Sequence, residues 1–195
     1  MSKLSKKKIG ITGTIGSGKS SVTKLISKYH KTLSADEIVA KLYQDKTIVK
    51  RVNKEILNSV SDVLNKQQLS EAIFTNKDLK IKLEQMIHPL VKAEVKNWLD
   101  TNYGLLFVEV PLLYEANFQD LFDLVIVVVA DQDKIIKRLS KTRGYSVKAA
   151  KQRIENQLSV EKKLEKADIC LSNNGSYQDL VEKVIELLKT LEVGD

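Results

Sequence analysis

An α/β fold built on a parallel sheet is what this sequence of 195 residues predicts, and three observations carry the prediction. Short β-branched runs alternate with longer amphipathic stretches, the pattern of strands joined by right-handed helical crossovers. Two of the short runs, Leu105 to Val110 and Leu124 to Ala130, are almost continuously apolar, as strands are when helices cover both faces of a sheet. A glycine-rich turn separates the first strand candidate from the first helix candidate, and four of the chain's eight glycines fall from Gly10 to Gly18. The length suits one well-buried core and is short for two catalytic domains, so a single domain over residues 1–195 is expected.

The elements follow in order. Lys8 to Thr12 reads as the first strand, and Lys19 to Lys28 as the helix after the glycine turn. Thr32 to Ala35 is a short second strand. From Asp36 to Asn102 the apolar period is mostly helical, with a break expected at His88-Pro89, because proline lacks the N–H that continues a helix. Asn76-Lys77-Asp78-Leu79 reads as a helix N-terminus. Leu105 to Val110 and Leu124 to Ala130 are the third and fourth strands. Asp131 is placed to cap a helix reaching Arg143, Gly144 to stop it, and Ser146 to cap a second helix reaching Gln157. Ile169 to Leu171 makes the last strand. Tyr177, Leu180, Val181, Val184, Leu188 and Leu191 then form a core-facing stripe on a final helix.

Composition excludes several classes. With 43% hydrophobic and 29% charged residues, 8 Gly and 2 Pro, the chain fits neither a disordered nor a collagen-like polymer. No apolar run approaches the roughly 20 residues that cross a bilayer, so no membrane partner is expected. Met1 to Lys8 is basic like the start of a signal peptide, but the glycine stretch follows without an apolar segment, so no export is read. One cysteine, Cys170, allows neither an internal disulfide nor zinc spacing and is read as strand packing in a reducing cytoplasm. The net charge of +7 favours polyanionic partners, whether nucleic acid, anionic membrane or phosphorylated small molecules.

Gly13-Thr14-Ile15-Gly16-Ser17-Gly18-Lys19-Ser20 fits G-x-x-x-x-G-K-[ST] at every fixed position, after a strand candidate and opening a helix. Glycines let the backbone curl so that successive N–H groups face one anion, and the helix N-terminus behind them adds partial positive charge. Lys19 is then placed for the β- and γ-phosphates and Ser20 for Mg²⁺, so the ligand read here is a nucleoside triphosphate. A dinucleotide fingerprint fails because Ser21 stands where Gly or Ala is needed. A guanine motif fails because Asn76-Lys77-Asp78 puts its acid one place early.

Beyond the loop the candidates are acids and arginines. Asp36 follows the second strand, where ligands gather in open parallel sheets; its carboxylate would orient or deprotonate an attacking hydroxyl, or cap the next helix. Glu109 ends the third strand and would hold Mg²⁺ through water, or pair with a lysine. From Lys134 to Arg153 there are eight basic residues and no acidic one, and three of the chain's four arginines, Arg138, Arg143 and Arg153, fall there. Arginine's planar fork binds phosphate bidentately, and the Gly144 break suggests a movable lid over 134–157; a solvated helix face would normally carry both signs. His88 marks a helix junction with some chance of touching a ligand. His30 is read as a surface residue, and Trp98 and Tyr103 as core rather than stacking platforms.

These residues together resemble the dephospho-coenzyme A kinase family over nearly the whole chain. The carriers are Gly10 to Ser20, Ala35-Asp36, His88-Pro89-Leu90, and Val110-Pro111-Leu112-Leu113-Tyr114-Glu115. Later come Arg138, Arg143 and Arg153-Ile154-Glu155-Asn156-Gln157, then Ala167-Asp168 and Asn173-Asn174-Gly175-Ser176. The resemblance implies a three-layer P-loop kinase fold with a five-stranded parallel sheet, a helical substrate-binding insertion over about 36–103, and the lid. It implies ATP with Mg²⁺ as donor and the ribose 3′-hydroxyl of dephospho-coenzyme A as acceptor, in a cytoplasmic monomer. Asp36, Lys19, Arg138 and Arg143 are its catalytic candidates. Gly13 to Ser21, Arg138 and Asn174 would bind ATP; His88, Leu112, Arg153 and Asp36 would bind the acceptor; Ser20 and Glu109 would hold the metal. The chain departs from the family in having Ser34 where an earlier aspartate is common, and Thr14 where glycine is common. Two other readings compete: a kinase of another small hydroxyl compound on the same fold, and a nucleic-acid-binding ATPase using 134–153 as its footprint, which salt-dependent RNA or DNA binding would reveal.

Overall fold

The computed structural model describes residues 6–193, so Met1 to Ser5 of the basic amino-terminal segment lie outside the described residues. Five parallel strands, β1 (Lys7–Gly13), β2 (Lys31–Ser34), β3 (Leu105–Glu109), β4 (Leu124–Val129) and β5 (Ile169–Ser172), form one sheet in the order β2-β3-β1-β4-β5. The helices are α1 (Lys19–Ile26), α2 (Ala35–Leu42), α3 (Lys46–Ile56), α4 (Lys66–Thr75), α5 (Lys77–Thr101), α6 (Gln132–Arg143), α7 (Val147–Glu155), α8 (Val160–Leu164) and α9 (Tyr177–Val193). With β1 central, the chain fills one side of the sheet and then the other, which makes the carboxyl end of β1 the point where the strand order reverses and a ligand crevice opens. Glu109 is in register with both Ile11 and Ser34, so it too reaches that end.

The period-2 alternation of β1 decides its packing. Ile9 and Ile11 face a core built with Val22 and Ile26 of α1, Phe107, Ile126 and Val128 of the sheet, and Leu180, Val184 and Leu188 of α9. Each such fully buried side chain contributes about 1.5–3 kcal/mol relative to exposure, so this face anchors α1, and with it the loop before α1, to the sheet.

Two compact units divide the chain: Ser34 and the residues before it together with Trp98 and those after it, and Ala35–Asn97. The first carries the sheet. The second holds α2, α3, α4 and most of α5, started by short polar caps. Asp45 accepts from Thr47 N at 2.7 Å, Asn65 from Gln67 N at 3.1 Å, and Asn76 from Asp78 N at 2.9 Å. The helix start expected at Asn76 is therefore observed.

Several expectations need correction. The break at His88-Pro89 is absent, since α5 continues through Pro89. Pro89 and Gln85, whose carbonyl loses its helical donor to the proline, are both exposed residues, while Leu83, Ile87, Val91 and Val95 form an unbroken buried stripe. Cys170 is exposed, because on this outermost strand burial falls on Leu171 and not on its neighbour. Tyr103 is 72% exposed with Lys6 Nζ 5.5 Å from its ring centroid, and Trp98 is half-buried, so neither is a core anchor. His30 is half-buried rather than a surface residue, its ring 5.6 Å from that of Phe107. Tyr177 opens α9 exposed and leaves the buried stripe to Leu180, Val184, Leu188 and Leu191.

Candidate active site

The loop between β1 and α1 takes its shape from glycine. Gly16 and Gly18 have φ of +78° and +102°, which L side chains rarely adopt, and a Cβ on Gly18 would collide with the Asn173 side-chain amide. Gly18 is also the N-cap of α1 and offers no side chain to its first turn, so amides at the start of this helix remain for an anion. Lys19 is 7% exposed and arches back over the loop, donating to Gly13 O at 3.0 Å and Thr14 O at 2.9 Å. The hydroxyls of Thr14 and Ser17 are buried without a hydrogen-bond partner among the described residues, polar atoms that a phosphate oxygen would satisfy.

At the carboxyl end of β3, Glu109 is 5% exposed and accepts from the Ser20 hydroxyl at 2.8 Å. The two metal candidates thus meet, and the contact expected with a lysine is a contact with Ser20 instead. Their donor set is two hard oxygens, which fits a divalent ion of the Mg²⁺ kind shared between protein oxygens and phosphates.

Behind the loop, Arg138 of α6 donates through Nη1 to Ser17 O at 3.3 Å and through Nη2 to Asn173 O at 2.8 Å. Asn173, 7% exposed, returns a bond from Nδ2 to Ser17 O at 2.7 Å. A hollow of about 200 Å³ opens here, lined by Gly18, Ser21, Arg138, Asn173, Gly175 and Tyr177 among others. Asn174 is half-buried and braces the turn: its Oδ1 accepts from Asp131 N at 2.8 Å and its Nδ2 donates to Asp131 Oδ1 at 2.7 Å. Asp131 begins α6 as expected, but its carboxylate serves Asn174 and makes no capping bond to the helix.

Of the other arginines, Arg143 stands exposed in the last turn of α6, which Gly144 ends with φ +67°. Arg153 lies 4.2 Å from the ring centroid of Tyr145, a cation over an aromatic face. Ser146 caps α7 by accepting from Ala149 N at 3.2 Å. Leu112 sits half-buried in the turn after β3, its carbonyl accepting from Ala116 N at 2.9 Å. In the second unit, Asp36 is the second residue of α2, exposed, and its carboxylate has no bond among the described residues, so it is not the cap of that helix. His88 is half-buried in α5; burial, aided by Lys80 and opposed by Glu84, holds its pKa below the ordinary imidazole value, so it is neutral at pH 7.

Comparison with known proteins gives this arrangement a family. Residues 7–179 match the dephospho-CoA kinase family model. The chain belongs to the dephospho-CoA kinase family. A dephospho-CoA kinase of Rickettsia prowazekii is 33% identical over 187 residues, spanning 94% of this chain and 97% of that one. Among solved structures, a Thermus thermophilus protein superposes with a TM-score of 0.83 at 28% identity, over 96% of this chain and 98% of that one. A dephospho-CoA kinase from Campylobacter jejuni gives 0.70 at 28%, over 95% and 97%.

A dephospho-CoA kinase family member is an ATP-dependent kinase, and the chain has the family's three-layer α/β fold around five parallel strands. Sequence reasoning did not single out the buried Asn173, although the Asn173-Asn174 pair was in view; which of two adjacent asparagines turns inward depends on the phase of β5. Gln157 was noticed only within the lid segment, yet its Oε1 accepts from Ile15 N at 2.8 Å. Lys163, 0% exposed, gave no signal, because Ser159 to Lys166 reads as a solvated face of mixed charge.

Proposed function

We propose that the protein transfers the γ-phosphoryl group of ATP to the ribose 3′-hydroxyl of dephospho-CoA, giving CoA and ADP. The observation that carries this is the convergence of the Lys19 loop, the Ser20–Glu109 pair and Arg138 at the carboxyl end of β1 in a chain of this family. Free amides of the Gly13 to Ser21 loop, that of Ile15 apart, cradle the phosphates together with Lys19, while the hollow beside Arg138, braced by Asn173 and Asn174, receives the nucleoside. Ser20 and Glu109 would hold Mg²⁺, which would supply positive charge against the negative charge that develops during transfer. Ser34 is in register with Glu109 at the end of β2 and Asp36 follows two residues later in the chain. Asp36 takes the proton of the 3′-hydroxyl as its oxygen bonds to the γ-phosphorus and the bridge to the β-phosphate breaks. Arg138 and Arg143 favour the transferring group, and closure of 134–157 keeps water from competing as acceptor. Arg153, His88 and Leu112 contact the acceptor.

Residues 36–103 serve in this reading as a substrate-binding insertion within one domain. No described helix is long and apolar enough to cross a membrane. We read the protein as a cytoplasmic monomer whose basic stretch serves two polyanionic substrates and not a nucleic acid. Phosphorus–proton correlation spectra of the product test the chemistry: the account expects the new phosphate on the ribose 3′ carbon, and a phosphate on the 2′ carbon or on the pantetheine arm contradicts it.

A further inference from the structure

A line of polar contacts runs from the phosphate loop to the far end of the arginine-bearing helices and ends in a fully buried lysine. The Ile15 N–H, inside the loop, donates to Gln157 Oε1 at 2.8 Å. The next residue, Leu158, donates its N–H to Glu115 Oε1 at 2.9 Å. That oxygen lies 2.9 Å from Lys163 Nζ, and the Lys163 side chain is 0% exposed. The same ammonium donates to Pro111 O at 3.2 Å, a carbonyl that also accepts from the Thr12 hydroxyl at 3.2 Å. Thr12 directly precedes the loop, and Pro111 lies two residues past Glu109.

An ammonium persists out of water only where charge and donors are matched, so Lys163 leaves Glu115 little freedom to move. Glu115 then fixes Leu158, and with it the chain position of Gln157. The side chain of Ile15 packs with Ile135, Ile136, Leu139 and Ala150, so apolar contact and amide bond both tie the loop to α6 and α7. A loop amide already bonded to a side chain is not one of those free to face an anion. The Gln157 bond thereby helps decide which loop amides point at the phosphates.

We propose that Gln157 is a positioning residue for phosphoryl transfer: it sets the phosphate loop in register with α6, the helix that carries Arg138 and Arg143, and the buried Lys163–Glu115 pair holds it there. The proposal rests on the loop being the ATP phosphate site. A misplacement of about 1 Å costs phosphoryl-transfer geometry up to about a hundredfold in rate while leaving much ground-state binding intact.

Amide hydrogen exchange at Ile15, measured without nucleotide, reads the bond whatever the substrate proves to be. In Gln157→Ala, exchange at Ile15 is expected to rise at least about tenfold; in Gln157→Glu, which keeps an acceptor oxygen at the same reach, it should stay near wild type. The double variant Lys163→Met with Glu115→Gln, which removes both charges together, should also raise it. With ATP and dephospho-CoA, Gln157→Ala should lose about tenfold or more in kcat, with its ATP dissociation constant within about threefold of wild type. Unchanged Ile15 exchange in Gln157→Ala, or a loss expressed entirely in ATP affinity, would overturn the positioning role. Unchanged exchange in the double variant would remove Lys163 and Glu115 from it.

Discussion

At Asp36 a carboxylate stands exposed in the first turn of α2 without a bond among the described residues, and that isolation separates two chemical roles. A residue that only favours the helix start would be replaced by asparagine at little cost to stability or rate. A group that accepts the hydroxyl proton loses its charge in Asp36→Asn, so kcat is expected to fall about a hundredfold or more with the melting temperature unchanged. Steady-state kinetics beside a thermal melt checks this, and an active, equally stable variant would leave Asp36 a helix-end charge. Tyr114 makes a prediction of another kind. Its hydroxyl donates to Lys166 O at 2.7 Å, and burial, with Asp168 adding to it, pushes the phenol up to about 12. The unfolded chain ionises Tyr114 near its ordinary value of about 10, so the folded state holds that proton longer. The stability this gives is complete below pH about 10 and is lost as pH rises toward about 12. In urea titrations the gap between wild type and Tyr114→Phe should narrow across that window, and a gap independent of pH would contradict the assignment. At this scale the sequence showed residues whose chemistry is in their type, such as Lys19, Ser20 and Asp36. It did not show Asn173 or Lys163, whose importance lies in which way they turn.

The helices divide along similar lines. Asn76, Gly144 and Ser146 were readable as boundaries because caps and stops act locally, through one side chain or one left-handed residue. α5 was misread because proline's local cost competes with a long buried stripe, and only the fold shows that Pro89 and Gln85 are exposed while the stripe runs on unbroken. If the stripe carries the helix across an unfavourable residue, Pro89→Ala should restore the missing bond. Set against the unfolded-state stiffness that proline supplies, the net gain is about 1–2 kcal/mol, or about 3–6 °C in melting temperature for a chain of this size. Calorimetry of the variant tests it, and a lower melting temperature would mean that Pro89 fits a local distortion the stripe requires. α6 and α7 were legible as helices from their cap and stop residues, and as basic ones from their charge. Their grip on the loop through Ile15 and Gln157 was not, since those partners lie 142 residues apart in the chain.

For the molecule as a whole, the parallel sheet was the most legible feature, because doubly covered strands announce themselves as apolar runs. The strand order followed less directly: β1 lies between β3 and β4, an arrangement fixed by crossovers and not by any one segment. That order brings the glycine loop, Glu109 and the turn after β5 to one end of the sheet, and the net charge of +7 suits two polyanionic substrates there. The central claim is the choice of acceptor, because shared fold leaves the hydroxyl compound open. The most direct measurement incubates the protein with ATP, Mg²⁺ and an equimolar mixture of dephospho-CoA, shikimate, gluconate and a nucleoside, and follows each phosphorylated product by mass. Dephospho-CoA is expected to be converted to CoA at least about a hundredfold faster than any competitor, with transition-state contacts to the remote parts of the acceptor supplying the difference. Faster phosphorylation of any other acceptor in the mixture would contradict the account.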